Sequence, residues 1–387
     1  MPYAPATPDE AASMDHGGYE MFETLSKYGL SDFHLINDET CGLQAIIAIH
    51  DTTLGPAIGG CRFVAYPDEQ AAFEDAARLA QCMSYKAALA GLSFGGGKAV
   101  IMQPAHVVNR KLLFTRMGDF IATLKGHYIT AMDSGTTLLD MDTMATRTPF
   151  ISSSSKIGDC SPYTAEGLYQ GMKEAFNIHF SSSTLTQARI AIQGLGHVGM
   201  ALAERLHRAG AHLIVSDLDP RKTQFAEQRF NARVVVGDAI YQQACEIFSP
   251  CGLGGIINVS TIPHLRCAII AGAANNQLIE DSDEELLRDR GILYVPDFAI
   301  NAGGLIYAAM RFSGENQACI NEKLRRIPST IRKLLTLPSV THGKALTPLQ
   351  TALLFAQQRI ADGPNTAPPT VIQESLSKRK QQAIVAG

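Results

Sequence analysis

RIAIQGLGHVGMALAERLHRAGAHLIVSD, residues 189–217, decides the fold. Arg189–Gln193 is a short apolar run of the kind a buried strand uses. Gly194-Leu195-Gly196-His197-Val198-Gly199 is a glycine turn, the stretch to Ala209 has helical spacing, and His212–Ser216 is a second apolar run that ends at Asp217. A G-x-G-x-x-G pattern alone is weak. Between a strand and a helix, with an acid closing the next strand, it reads as a dinucleotide-binding turn. The first glycine would make the tight turn, the second would let the backbone approach a pyrophosphate, and the third would let helix and strand pack closely. The pyrophosphate would rest on the helix N-terminus, where N–H groups lack partners. Asp217 would accept hydrogen bonds from the adenosine ribose and repel a 2′-phosphate, which favours NAD over NADP. Arg221 and Lys222 are the nearby cations.

Outward from this unit the alternation continues. RVVVG (233–237), GGIINVS (254–260), CAIIAGA (267–273) and ILYVPDFAINAGG (292–304) read as further short strands with helical stretches between. That pattern predicts a doubly wound parallel sheet. The chain has 387 residues, more than the roughly 250–300 at which one core stops growing. The expectation is an α/β protein of two domains with a cleft between them. Residues 1–150 would form a mixed α/β substrate and oligomerisation domain, and 151–344 a Rossmann-type NAD-binding domain. A helical stretch within about 345–387 would pack back on the first. The junction and candidate hinge is RTPFISSSSKIGDCSP, 147–162, rich in Ser, Pro and Gly.

Composition excludes several functions. Lys and Arg number 33 against 37 Asp and Glu, a net charge of −4, so no basic excess exists to hold nucleic acid or an anionic membrane. No apolar run reaches the roughly 18–20 residues of a membrane span. The polar, acidic start MPYAPATPDEAASMDHGGYE is unlike a signal or transit peptide. These features predict a soluble, cytoplasmic protein. The eight cysteines are scattered with no C-x-x-C pair, which predicts free thiols and no metal site. The basic end SKRKQQ (377–382) reads as a solvated tail.

In the first half, residues 20–65 read as strands and turns. Residues 68–90 read as a helix capped by Asp68, with apolar Ala72, Phe73, Ala76, Leu79 and Met83 at helical spacing. Gly95-Gly96-Gly97 is expected to break that helix and admit a ligand, with a strand starting at Ala99. A helix over 110–125 and a strand ending at Asp133 follow. Lys86, Lys98 and Asp133 each sit beside glycines or apolar runs. Taken singly, a snorkelling lysine or a turn-capping aspartate explains them.

Taken together, the segments say more. GPAIGGCR (55–62), MSYKAALAGLSFGGGKAVI (83–101), YITAMDSGTT (128–137), SPYTAEGLYQGMK (161–173), GLGHVG (194–199), CGLGGIIN (251–258), IAGAANNQL (270–278) and PDFAINAGG (296–304) resemble, in order, the Glu/Leu/Phe/Val amino-acid dehydrogenases, most closely their leucine dehydrogenase branch. The resemblance covers roughly residues 20–345. It implies a homo-oligomer that uses NAD in the reversible oxidative deamination of an apolar L-amino acid to the 2-oxo acid, ammonia and NADH. It implies that Lys86 binds the substrate carboxylate, that Lys98 is the catalytic base, and that Asp133 assists proton transfer and holds the amino group. Gly59 and Gly60 would lie against the substrate and Asn276 would orient it. Thr164, Ala273 and Asn275 would approach the nicotinamide and its ribose. Ile58, Ala131, Leu305 and Ala308 match the side-chain pocket; all are apolar. A branched-chain substrate is favoured, with an aromatic one (Phe or Trp) as the alternative.

The chemistry needs these residue types. A carboxylate needs a cation, and water adding to an iminium carbon needs a base. A lysine with its free pKa of about 10.4 is a poor base; burial and a neighbouring cation such as Lys86 would lower it. Four features depart from the family: Met132 in place of Glu, Tyr307 in place of Asn, Met310-Arg311-Phe312 in place of an acidic pair, and Asp159-Cys160 in place of Asn-Pro. Two other classes compete. A 2-hydroxy-acid dehydrogenase would need a His with an Arg clamp, and neither His197 nor His264 has an evident Arg partner. A catalytically inactive nucleotide-binding homologue would not need Lys86, Lys98 and Asp133 together.

Overall fold

The structure is a computed structural model that describes residues 21–106, 109–337, 340–341 and 344–363. The quoted N-terminal stretch as far as residue 20, and the basic tail, lie outside the described residues.

The first sheet has five strands: β1 (Asp32–Asp38), β2 (Leu43–Asp51), β3 (Ala57–Val64), β4 (Gly95–Met102) and β5 (Tyr128–Met132), in the order β1-β2-β4-β3-β5. β1, β2 and β4 pair antiparallel, whereas β3 is parallel to both β4 and β5, so the sheet is mixed. Alternation along the strands gives each face its own task. Ala57, Cys61, Phe63, Ala99, Ile101 and Tyr128 pack into a buried core with Leu113, Phe114, Met117 and Ile121 of the helix Arg110–Thr123. The opposite face carries Ile58, Gly60 and Arg62 on β3, Gly96 and Lys98 on β4, and Ile129 and Ala131 on β5.

The helix Glu69–Leu89 lies across that second face. Asp68 is its N-cap and accepts from the Ala71 N–H at 2.8 Å. Two expectations are corrected here. Residues 21–28 form a helix, not strands and turns. The three glycines neither break the helix, which ends earlier at Leu89, nor admit a ligand: they are the first residues of β4, which starts at Gly95 rather than Ala99. The reason is steric. A Cβ on Gly96 would stand 2.0 Å from the Ser84 backbone nitrogen, so the strand must be bare for the helix to lie flush on it.

The second sheet is wholly parallel: β6 (Arg189–Gln193), β7 (His212–Ser216), β8 (Arg233–Val234), β9 (Cys245–Pro250), β10 (Cys267–Ile270) and β11 (Leu293–Tyr294), in the order β11-β10-β9-β6-β7-β8. This is the doubly wound order with its switch point between β6 and β9. The sequence reading missed β9, the strand beside the switch. Its run CEIFSP carries Glu246, whose carboxylate is taken by Arg189 at 2.5 Å. GGIINVS, expected as a strand, is a loop with one isolated bridge, Ile257 to Leu278. Most of ILYVPDFAINAGG is not strand either: after β11 it forms the helices Asp297–Ile300 and Gly303–Phe312.

Residues 147–162 are tied down in their first half. Ile151 bridges to Thr130, Ser152 N–H donates to the Thr130 carbonyl at 2.7 Å, and the Ser153 hydroxyl accepts from the Met132 N–H at 2.6 Å. The long helix Ser161–Phe180 follows. Residues from both halves share one core: Tyr85, Ala88 and Phe94 belong to the same buried cluster as Phe298, Ile300 and Leu168. The helix Pro348–Ala361 returns to the first half and packs on Glu69–Leu89, with Gln357 donating to the Tyr85 hydroxyl at 3.4 Å. No described helix is long and apolar enough to cross a membrane.

Candidate active site

Lys98 sits on β4 and is 3% exposed. Asp133 directly follows β5, its N–H bonded to the Thr136 hydroxyl at 2.9 Å, which fixes the turn. The Lys98 ammonium donates to Asp133 Oδ2 as a direct ion pair. Gly60, on the strand between them, must lack a side chain: a Cβ there would be 2.6 Å from Asp133 Cβ. Burial pushes the Asp133 carboxyl up, but Lys98 and Arg62 outweigh it and hold it well below the usual carboxylate range.

Lys86, in the last turn of Glu69–Leu89, is 6% exposed. Its ammonium donates at 2.8 Å to Asn275 Oδ1, in the loop after β10. The same oxygen accepts from Asn301 Nδ2 at 3.2 Å, and Asn301 also reaches the Ala273 carbonyl at 3.0 Å. Lys86 therefore joins the first sheet's covering helix to the second sheet's loops. Asp297 lies near it and is buried; burial raises its carboxyl and Lys86 opposes that rise. Backbone N–H groups of Gln277 (3.2 Å) and Phe298 (2.7 Å) also bond it.

Sequence reasoning missed Arg62, Asp297 and Asn301, although each lay inside a quoted segment. The available signal was a charged or amide residue within an apolar or glycine run, since a buried polar group must find partners. Two departures from the family pattern have partners of their own. Met132 packs against the core on the face opposite Asp133. The Tyr307 ring stacks on Tyr163 with centroids 3.9 Å apart, and its hydroxyl bonds the Ile157 carbonyl.

Of the pocket candidates, Ile58 and Ala131 share the sheet face of Lys98, with Ile58 fully buried and Ala131 half-buried. Leu305 and Ala308 lie three residues apart on one side of Gly303–Phe312 and are 9% and 5% exposed. Gly303 and Gly304 let that helix meet the first turn of Ser161–Phe180, where a Cβ on Gly304 would come within 2.4 Å of Thr164 Oγ1. Asn276 holds a positive φ of 51° and lines a cavity with Arg78, Gln81, Tyr85 and Gln277. That cavity faces the C-terminal helix and does not include Lys98 or Asp133.

The glycine turn Gly194–Gly199 joins β6 to the helix His197–Arg208. Gly194 has φ +96° and lies against Gly252, just past β9, at the switch point. Gly199 packs on Gly194, where a Cβ would be 2.0 Å from the Gly194 carbonyl oxygen. Gly196 caps the helix His197–Arg208 without any side-chain hydrogen bond, and a Cβ there would meet nothing within 4 Å. Leu195 is buried, while His197 is exposed and Val198 half-buried at the helix start. Asp217 accepts from the Leu195 N–H at 2.6 Å and the Asp219 N–H at 2.8 Å, with Lys222 at 3.6 Å. Arg221 is occupied by Asp219. Open space, free helix N–H groups and a terminal carboxylate fit a dinucleotide. Among the described residues no group of three or more His, Cys, Asp or Glu could hold a metal.

Comparison with known proteins follows the same lines. Residues 32–150 match the family described as Glu/Leu/Phe/Val dehydrogenase, dimerisation domain, and 215–363 the family Glutamate/Leucine/Phenylalanine/Valine dehydrogenase. A leucine dehydrogenase of Bacillus subtilis is 44% identical over 322 residues, 82% of this chain and 88% of that protein. A phenylalanine dehydrogenase of Caldalkalibacillus thermarum is 38% identical over 333 residues, 84% of this chain and 89% of that one. The crystal structure of L-tryptophan dehydrogenase from Nostoc punctiforme superposes with a TM-score of 0.73 at 38% identity, covering 88% and 98% of the two chains.

Proposed function

This chain belongs to the Glu/Leu/Phe/Val dehydrogenase family, and from that premise we propose how it works as an amino-acid dehydrogenase. The substrate is an apolar L-amino acid, branched-chain before aromatic, converted reversibly to the 2-oxo acid, ammonia and NADH. NAD is the cofactor, held by Gly194–Gly199 and Asp217, with Thr164, Ala273 and Asn275 toward its nicotinamide end. Its part is to accept a hydride from the substrate α-carbon.

The remaining steps belong to the protein. Lys86 takes the substrate carboxylate; its partner without substrate is the neutral Asn275 amide, a weaker acceptor than a carboxylate. Gly60, on the Lys98 face, lets the α-carbon approach β3; Gly59 faces the other way, where Gly97 fills its Cβ position, and Asn276 acts on the substrate through the loop it shares with Asn275. Asp133 holds the amino group. Loss of hydride leaves an iminium carbon, to which water adds while Lys98 Nζ takes the water's proton. Asp133 takes a proton from the substrate ammonium before hydride leaves, and returns that proton to the departing amine. The observation that carries this reading is the buried Lys98–Asp133 pair beside side-chain-free Gly60. Residues 1–150 would act as the substrate domain, with the helix after 345 returning to it, and 151–344 as the NAD domain. The protein would work as a cytoplasmic homo-oligomer.

Ile58, Ala131, Leu305 and Ala308 form the side-chain pocket. The small residues Ala131 and Ala308 favour, as a second reading, a substrate as large as phenylalanine or tryptophan. The test is NADH formation at alkaline pH with NAD and L-Leu, L-Val, L-Ile, L-Phe, L-Tyr, L-Trp or L-Glu. Turnover of aliphatic substrates first supports the proposal. Preference for aromatic ones transfers it to the second reading, and NADH binding with no turnover of any defeats both.

A further inference from the structure

Lys98 and Asp133 are not an isolated pair. Arg62, on β3 and two residues beyond Gly60, places its Nε 3.5 Å from Asp133 Oδ2 and its Nη1 2.7 Å from Asp75 Oδ2. The Tyr66 hydroxyl donates to that same Asp75 oxygen at 2.6 Å. Arg62 Nε is buried and makes no hydrogen bond. At 3.5 Å its link to Asp133 is one of charge.

The surrounding groups leave four charges to consider. The charge of Asp133 also reaches Cys61, Tyr128 and Cys160, and burial pushes all three up, Cys160 to about 11, so they stay neutral. Cys82, on the covering helix near both Lys86 and Lys98, is likewise pushed up by burial to about 11. Asp140, toward Cys61, is engaged by Arg110 at 2.8 Å. Lys86 donates to Asn275 Oδ1 and its charge acts on Asp297. What remains is a neutral set: the cations Lys98 and Arg62 with the carboxylates Asp133 and Asp75.

If Lys98 is the base, it must lose its proton next to a carboxylate that favours keeping it. We infer that Arg62 is a positioning residue that sets the proton affinity of the Lys98–Asp133 pair: its permanent charge keeps Asp133 satisfied as an anion while Lys98 is neutral. Asp75 and Tyr66 fix the guanidinium in place and Asp75 moderates its charge. An arginine suits this task because it does not deprotonate and its fork can face two carboxylates at once.

This inference rests on the proposed role of Lys98. The experiment is the pH profile of kcat/KM for amino-acid oxidation in the full-length wild type, Arg62→Met, Arg62→Lys and Asp75→Asn, with NADH binding and thermal unfolding as checks on folding. Arg62→Met should move the acidic limb up by about one pH unit or more, and Arg62→Lys should leave it within about half a unit. Asp75→Asn frees the Arg62 charge and should move the limb the other way, to lower pH. An unmoved limb in Arg62→Met, or the same direction of shift in Arg62→Met and Asp75→Asn, overturns the inference. If Arg62→Met does not fold, the downward shift in Asp75→Asn decides it, and its absence overturns the inference. A wild type that shows no amino-acid-dependent NADH formation would instead defeat the reading of Lys98.

Discussion

Gly95-Gly96-Gly97 before Lys98 and Gly194–Gly199 before the His197–Arg208 helix look alike as sequence: each is a glycine cluster next to a strand and a candidate site. In three dimensions they do opposite things. At Gly96 the missing side chain is replaced by the protein itself, with the Ser84 backbone nitrogen where a Cβ would stand 2.0 Å away. That close approach sets the helix bearing Lys86 against the strand bearing Lys98. At Gly196 a Cβ would meet nothing within 4 Å, at a helix N-terminus with no side-chain cap. One cluster is spent on packing; the other leaves the space beside Gly196 open, where a dinucleotide is proposed to lie. A glycine run announces a close approach, and the tertiary structure decides what approaches.

The comparison can be broken by substitution. The largest effect is expected at the residue the first cluster positions: Lys98→Ala should lower kcat about a hundredfold to ten-thousandfold, with NADH affinity measured by fluorescence titration unchanged. Gly96→Ala comes next. The Cβ meets backbone, which cannot rotate away, so the protein should lose about 2–3 kcal/mol of stability and its unfolding midpoint should fall by several degrees. Gly196→Ala should do the reverse. Its stability should stay within about 0.5 kcal/mol of wild type, while NADH affinity falls about tenfold. Equal loss of stability in the two alanine variants would erase the distinction.

A finer test uses acid. Asp133 is held below its unfolded pKa of about 3.9. Its ionised form therefore contributes stability that is complete above about pH 4 and is lost as pH falls through the depressed folded value. The stability difference between wild type and Asp133→Asn should be flat from about pH 7 to 5. Below about pH 4 it should shrink by no more than about 1.4 kcal/mol per pH unit. A difference that shrinks already near pH 6 would mean that the pair is looser than its geometry.

Much of this was legible in one dimension. The strand, turn and helix over 189–217 and the Asp68-capped helix depend on short-range patterns: periodicity, caps and glycines at fixed offsets; Lys98 and Asp133 stood out only through the family resemblance. β9 was not legible, because a strand carrying Glu246 breaks the apolar pattern unless one knows that Arg189 takes the charge. The GGIINVS stretch erred the other way: its apolar residues pack as a loop bridged to Leu278, not as a strand. Arg62, Asp297 and Asn301 stayed silent because their roles come from partners far away in sequence.

By itself, then, the sequence determined the parallel doubly wound unit and its glycine turn, which follow from local steric rules at fixed spacing, while the dehydrogenase residues were legible only through the ordered resemblance of whole segments to a family. Only the tertiary structure decided that Lys98 is paired with Asp133 under the charge of Arg62, that Lys86 reaches Asn275 across the two halves, and that Met132 packs into the core and Tyr307 stacks on Tyr163. Those facts depend on which strand lies beside which and on which face each residue takes. Strand neighbours and faces are fixed by the packing of whole elements, and charges act through space irrespective of chain order.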